Sequence, residues 1–201
     1  MQYQALSHFI QARSNVSPRR LVAPGPEAAQ LRGLLTLAAA APDHGQLAPW
    51  RLLLIPPAAR DRLADAFGQA LLERDPQASE EELGRAREKA WRAPTLLVAI
   101  VRTGGDELPQ ITALERAVSF GAAIQNMLLG AQALGFGAGL TSGKAMQSEP
   151  MRALCSLGPE EHAVCCINIG TATAARVPRT NRRPPEAILS ELAPRPLQRA
   201  A

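Results

Sequence analysis

A chain of 201 residues, 46% hydrophobic and 20% charged, can build one sizeable α/β or α+β core, which excludes disorder over most of its length and is short for two independent domains. The net charge of +4 rests almost wholly on arginine, Lys89 and Lys144 being the only lysines, and the four Phe, two Trp and one Tyr are not interleaved with it. That pattern argues against a nucleic-acid partner, which needs stacking surfaces beside its cations, and suits a phosphate-bearing small ligand or a solvated face.

Residues 2–12 place Leu6, Phe9 and Ile10 at helical spacing, a short helix that breaks at RSNVSPRRLVAPGP. A second helix is expected over 26–41: Pro26 suits a first turn, Glu27 complements the dipole, and Ala28, Leu31, Leu34, Leu35 and Ala38 recur along one side. Pro42 stops it, the loop PDHGQLAP follows, and the apolar run WRLLLIP at 50–56 reads as a buried strand. Helical patterns return at 58–72 and 79–92, the second opened by Glu80, Glu81 and Glu82 and stopped by Pro94. Residues 95–101 form another buried strand, closed by the turn GGDELP.

From 117 to 143 there is no Asp, Glu, Lys or Arg. Gln125, Asn126, Gln132 and six glycines speak against a membrane span, so a core helix over 109–134 is expected, then the strand and glycine loop GFGAGLTSG. A helix apolar nearly all round needs cover on every side, and a second copy of the chain is the natural cover. A helix near 147–157 and a strand at 162–170 complete the order. The Pro- and Arg-rich tail from Thr171 carries only a helix-like patch at 185–192 and is expected to lie over a surface. The domain is assigned to residues 1–185 and the tail to 186–201.

Cys155, Cys165 and Cys166 are too few and too clustered for a disulfide framework; adjacent cysteines on a strand point to opposite faces, and buried thiols in a reducing compartment are expected. The N-terminus lacks the apolar region of a signal peptide, so a cytoplasmic location is expected. His8, His44 and His162 show no metal-ligand spacing, and neither a GxSxG elbow nor a P-loop is present. GFGAG follows a helix and precedes a strand, the reverse of the dinucleotide fingerprint.

Four places remain for chemistry: RSN at 13–15, PDHGQLAPW at 42–50, GFGAGLTSG at 135–143 and NRRPP at 181–185. Arg13 and Ser14 offer a cation and a hydroxyl to an anion, or are simply a helix end. His44 is a site residue or an exposed loop histidine, and Trp50 belongs to the core or to the site. The glycines make a tight connection or let backbone amides approach a flat ligand.

Together these segments resemble the nitroreductase family, in its short single-domain branch. The match lies in a first helix ending in Arg13-Ser14, a helix running into APDH (41–44), PW (49–50) opening a strand, WRAPTLLVAI after a charged helix, ALGFGAG closing a long uncharged helix, and a strand ending in IGTAT. Order and spacing agree over residues 3–185. The resemblance implies an α+β, three-layer α-β-α fold with a mixed, mainly antiparallel sheet around a central helix, in an intertwined homodimer with FMN at the interface. It implies that Arg13 and Ser14 touch the FMN phosphate and the ribityl or pyrimidine edge, that His44 reaches the FMN of the other subunit, and that Leu140, Thr141, Ser142 and Gly143 line the isoalloxazine with backbone groups. Residues 130–135 resemble the stretch assigned to the nicotinamide cofactor. Ala12, Ala48 and Thr141 stand where the family usually carries polar contacts, a basic residue, glutamine and arginine respectively. Arg19, Arg20, Arg182 and Arg183 are the candidates to replace them.

The activity implied is hydride transfer from NAD(P)H to FMN and onward to a nitroaromatic, quinone or similar acceptor, with no catalytic side chain assigned. The alternatives are a non-redox FMN-binding scaffold and a flavoenzyme that oxidises a specific metabolite.

Overall fold

The computed structural model describes residues 2–105, 107–173 and 182–192. Its elements in order are α1 (Tyr3–Ala12), β1 (Leu21–Val22), α2 (Ala28–Ala39), β2 (Trp50–Leu54), α3 (Arg60–Leu72), α4 (Glu80–Glu88), β3 (Thr95–Arg102), α5 (Ala113–Ala133), β4 (Gly137–Thr141), α6 (Glu149–Cys155) and β5 (Glu161–Ala172). The strands order as β2-β3-β5, and β4 and β1 also pair with β5. All the described pairs are antiparallel, so over these residues the sheet is antiparallel throughout rather than mixed.

The period of two along β3 and β5 sorts the core into two layers. Leu97, Ala99, Val101, Cys165, Ile167 and Ile169 face α5 and α2 on one side. Leu96, Val98, Ile100, Ala163 and Cys166 face α3 and α6 on the other. The two adjacent cysteines thus part to opposite faces. Burial pushes the Cys165 thiol up to about 11 and the Cys166 thiol to about 12, so neither is a nucleophile at neutral pH.

Helix α5 starts four residues later than the periodicity suggests because Thr112 and Glu115 form a capping box, each side chain accepting the other's backbone N–H. It buries Phe120, Ala123, Ile124, Met127, Leu128 and Ala131. Arg116 is also buried, its guanidinium donating to the carbonyls of Gly104, Glu107, Leu108 and Ile111, which ties the loop before the helix onto it. The opposite stripe stays open: Leu114 is 79% exposed and Val118 71%, with Ala117 and Gly121 between and beyond them. No described helix is long and apolar enough to cross a membrane.

Helix α1 buries none of its residues. It is held by Gln132 Nε2, which donates to Phe9 O at 2.6 Å, and by Arg182, which donates to Gln11 O at 2.9 Å and Arg13 O at 3.0 Å. The helical patch expected at 185–192 is a single 3-10 turn, Pro185–Ala187, with Ile188, Leu189 and Leu192 exposed. Residues 174–181 and 193–201, which include Asn181 of the NRRPP string, lie outside the described residues.

Candidate functional site

The chain leaving α1 runs along the outer edge of β4. Val16 N–H donates to Ala138 O at 2.9 Å, and Leu140 N–H donates to Asn15 Oδ1 at 2.7 Å. This approach requires glycine at 139, because a Cβ there would collide with the Val16 carbonyl oxygen. Residues 15–16 and 138–140, distant in sequence, are thereby locked side by side.

Arg13 is the C-cap of α1, its N–H donating to Ile10 O, so it ends the helix and faces the same tight nook as Ser14. Leu128, Gln132, Phe136 and Ala138 complete that nook. Gln132 uses Nε2 on Phe9, while its buried Oε1 has no partner among the described residues. Arg182 reaches the same place through its bonds to the last carbonyls of α1. Arg183 is exposed beside it in sequence, and Arg19 and Arg20 lie in a 3-10 turn that leads into β1.

Leu140 lines a cavity of about 420 Å³ with Phe120, Gly121, Ile124, Gln125, Leu128, Ser142, Val164 and Cys165. Leu128 lines both this cavity and the Arg13–Ser14 nook. On the other side of the strand, Thr141 and Ser142 line a second cavity of about 210 Å³ that carries Lys89, Arg92 and Asn168. Both hydroxyls are engaged: Thr141 Oγ1 accepts from Asn168 Nδ2 at 3.0 Å, and Ser142 Oγ donates to Val164 O at 2.6 Å. Leu140's amide is committed to Asn15, so Leu140 meets this cavity with its side chain. Gly143 follows with open space around its Cα and starts the turn Lys144–Gln147.

His44 is elsewhere. It sits in a 3-10 turn, and its Nδ1 lies 2.9 Å from Glu115 Oε1 at the N-terminus of α5. Gln132, beside Arg13, is seventeen residues further along α5, a rise of roughly 25 Å at 1.5 Å per residue. One phosphate cannot touch both Arg13 and His44 of the same chain. Trp50 takes the core alternative, packing on the α5 side of the sheet with Nε1 donating to Ser119 Oγ at 3.4 Å.

Sequence reasoning named Asn15 only within the RSN string and Gln132 only within the stretch 130–135, giving neither a role of its own, and missed Asn168 and Glu115. Asn168 lies on a central strand and is 1% exposed, holding Gly139 O, Thr141 Oγ1 and Cys166 O with one amide group. A lone polar residue inside the apolar run AVCCINIG was the available signal.

A three-layer α+β core around an antiparallel sheet places the chain in the nitroreductase-like class of folds. Residues 12–171 match the Nitroreductase family, and the chain belongs to that family, one of oxidoreductases. It is 30% identical over 167 residues to a Haemophilus influenzae protein named "Putative NAD(P)H nitroreductase", covering 83% of this chain and 88% of that protein. In structure it is similar to a nitroreductase-like family protein from Bacillus cereus, with TM-score 0.76, 23% identity, and 96% and 98% of the two chains covered. The FMN-dependent nitroreductase NfnB from Mycobacterium smegmatis, solved in complex with NADPH, superposes with TM-score 0.68 at 18% identity over 95% and 99%.

Proposed function

We propose that the protein is an FMN-dependent oxidoreductase that takes a hydride from NAD(P)H and reduces a nitroaromatic, quinone or similar acceptor, working as a homodimer. The observation that supports this is the lock at Gly139, which holds Asn15 and Val16, the residues next to Arg13 and Ser14, against Ala138–Leu140, the residues that lead into Thr141–Gly143. The donor set there fits a phosphorylated polyol joined to a flat ring. A guanidinium and a hydroxyl suit one phosphate, the unpartnered Gln132 Oε1 suits a sugar hydroxyl, and the apolar cavity along α5 suits a ring. With no pyrophosphate loop, FMN is favoured over FAD. Arg13, Ser14, Arg182 and Arg183 would hold the phosphate end, and Leu140, Thr141, Ser142 and Gly143 the ring. FMN supplies the hydride acceptor of the first half-reaction and the electron donor of the second. The chain's task is to bind, orient and exclude water while two substrates alternate on one face.

Dimerisation follows from what the single chain leaves uncovered. The open stripe of α5 and a first helix with no buried residue both need a partner surface, and the exposed Tyr3, Leu6 and Ile10 are available to it. His44 lies at the end of α5 that carries the stripe, and in the shared-site reading the second copy docked on that stripe supplies its His44 to this chain's flavin.

Anaerobic addition of NAD(P)H to the purified, FMN-loaded protein should bleach the flavin absorbance, and an acceptor should restore it. Bound flavin that NAD(P)H does not reduce would leave a flavin-binding scaffold instead. Sharing is tested by pairing chains: Arg13→Glu and His44→Glu, each inactive as its own homodimer, should recover about half the normal activity as a purified heterodimer. One site then carries both defects and the other none. A dead heterodimer would refute the shared site.

A further inference from the structure

The loop from Asp43 to Trp50 is built with unusual constraint for an exposed connection. Gly45, Gln46 and Ala48 all have left-handed backbone, at φ 68°, 52° and 44°, and for the last two this is a conformation that L side chains rarely adopt. Asp43 Oδ2 accepts from Ala48 N–H across the turn, and Gly45 lies against Leu108 and Ile111. Two tethers fasten the loop to one face of α5, His44 to Glu115 and Trp50 to Ser119, four residues apart on the helix.

Glu115 is itself immobilised. Its Oε2 accepts from Thr112 N–H at 2.8 Å and from Thr112 Oγ1 at 2.9 Å, which fixes the carboxylate plane and turns Oε1 toward His44. The Thr112 backbone hydrogen bond, then His44, then the Thr112 hydroxyl hold the Glu115 carboxyl well below its usual range, at about 2. The group is therefore ionised at any pH where the protein works, and an ionised carboxylate only accepts. The proton between Glu115 and His44 must then sit on Nδ1.

We propose that Glu115 is a positioning residue that fixes His44 as the Nδ1–H tautomer, so that the neutral ring presents Nε2 as a hydrogen-bond acceptor to a hydroxyl or imide N–H of the flavin bound by the partner subunit. The proposal rests on the shared-site reading above. It converts an exposed loop histidine into a group with one defined polarity, because the second ring nitrogen follows from the bond the first one makes.

The capping box supplies a sharp test. In Glu115→Gln the single amide oxygen is claimed by the two Thr112 donors, which leaves the NH₂ facing His44 Nδ1. Nδ1 must then accept, and the proton moves to Nε2, reversing the polarity shown to the ligand while the helix cap stays intact. The readout is long-range ¹H–¹⁵N correlation of the His44 ring in the purified ¹⁵N-labelled dimer at about pH 8.5, above the ordinary imidazole range, with and without added FMN. The wild type should show Nδ1–H and Glu115→Gln should show Nε2–H. Thr112→Ala, which weakens the cap without changing the partner of Nδ1, should lower Tm by a few degrees and leave the tautomer alone.

FMN dissociation constants complete the test. Glu115→Gln should weaken FMN binding about tenfold, and should add nothing in a His44→Ala background. An Nε2–H wild type, a Glu115→Gln ring that keeps its tautomer, or a tautomer that moves in Thr112→Ala would each overturn the proposal. So would a Glu115→Gln dimer with unchanged FMN affinity where His44→Ala loses it, though that result would leave the shared site standing. If His44→Ala itself binds FMN normally, His44 does not face the flavin, and the positioning role and the shared site fall together.

Discussion

Gly139→Ala isolates the contact on which the site depends. The added Cβ would meet the Val16 carbonyl oxygen, a backbone atom that cannot rotate away, so residues 13–16 must lift from β4. Overpacking of this kind costs about 1–3 kcal/mol. The displaced segment also loses the Val16–Ala138 bond at 2.9 Å and the Asn15–Leu140 bond at 2.7 Å, at about 1 kcal/mol each. Together these make a loss of about 3–5 kcal/mol, which lowers Tm by roughly 6–20 °C in a chain of this size. Because Arg13 and Ser14 ride on the same segment, FMN binding should weaken about ten- to a hundredfold, the worth of one charge-assisted contact. Thermal unfolding of the flavin-free protein and fluorescence titration with FMN measure the two effects separately. Asn15→Ala, which removes one hydrogen bond without a clash, should cost only about 1 kcal/mol. Unchanged Tm and FMN affinity in Gly139→Ala would refute the lock. A lower Tm with unchanged FMN affinity would refute the claim that the lock carries the site.

Arg13→Ala should weaken FMN binding about ten- to a hundredfold, read by the same titration. Val118→Glu should yield folded monomer in sedimentation and release FMN with it, since it places a charge in the open stripe of α5. Glu161 accepts from Arg51 Nε at 2.7 Å, Arg51 Nη2 at 2.8 Å and Gly158 N–H at 3.0 Å, and Arg51 above all holds its carboxyl down at about 2. A depressed folded-state value means stability that is present above the unfolded carboxyl range, near 4.5, and is lost as pH falls toward 2. Denaturant titrations from pH 6 to 2 should show a shallower decline in Glu161→Gln, which should cost about 1–2 kcal/mol at neutral pH because Arg51 is partly screened by solvent.

How far the sequence carried the fold depends on which signal each element used. β3 and β5 were legible because both faces of each are buried, so the apolar runs were continuous and the two cysteines had to part. The expected start of α5 at 109 is four residues early, although the Thr-x-x-Glu pattern that sets the boundary stands in the sequence. β1 was hidden: two residues, Leu21 and Val22, carry no periodicity, and their pairing with Ala172 and Thr171 exists only once β5 is in place.

The site divides the same way. Arg13, Ser14 and the glycine strand were found as chemistry without a geometry, and their juxtaposition rests on a backbone approach that no local pattern encodes. Asn15 stands in the RSN string without a role of its own and Glu115 is not singled out at all, because what each does depends on a distant partner. Their partners lie 125 and 71 residues away. Arg182 was suspected as a replacement cation, and its guanidinium does arrive beside Arg13, but through the last carbonyls of α1. A cation spending donors on helix-end carbonyls still leaves positive charge at that end. The end of α1 next to Ala12 is therefore not electrostatically empty, and the cation beside it comes from the far end of the chain.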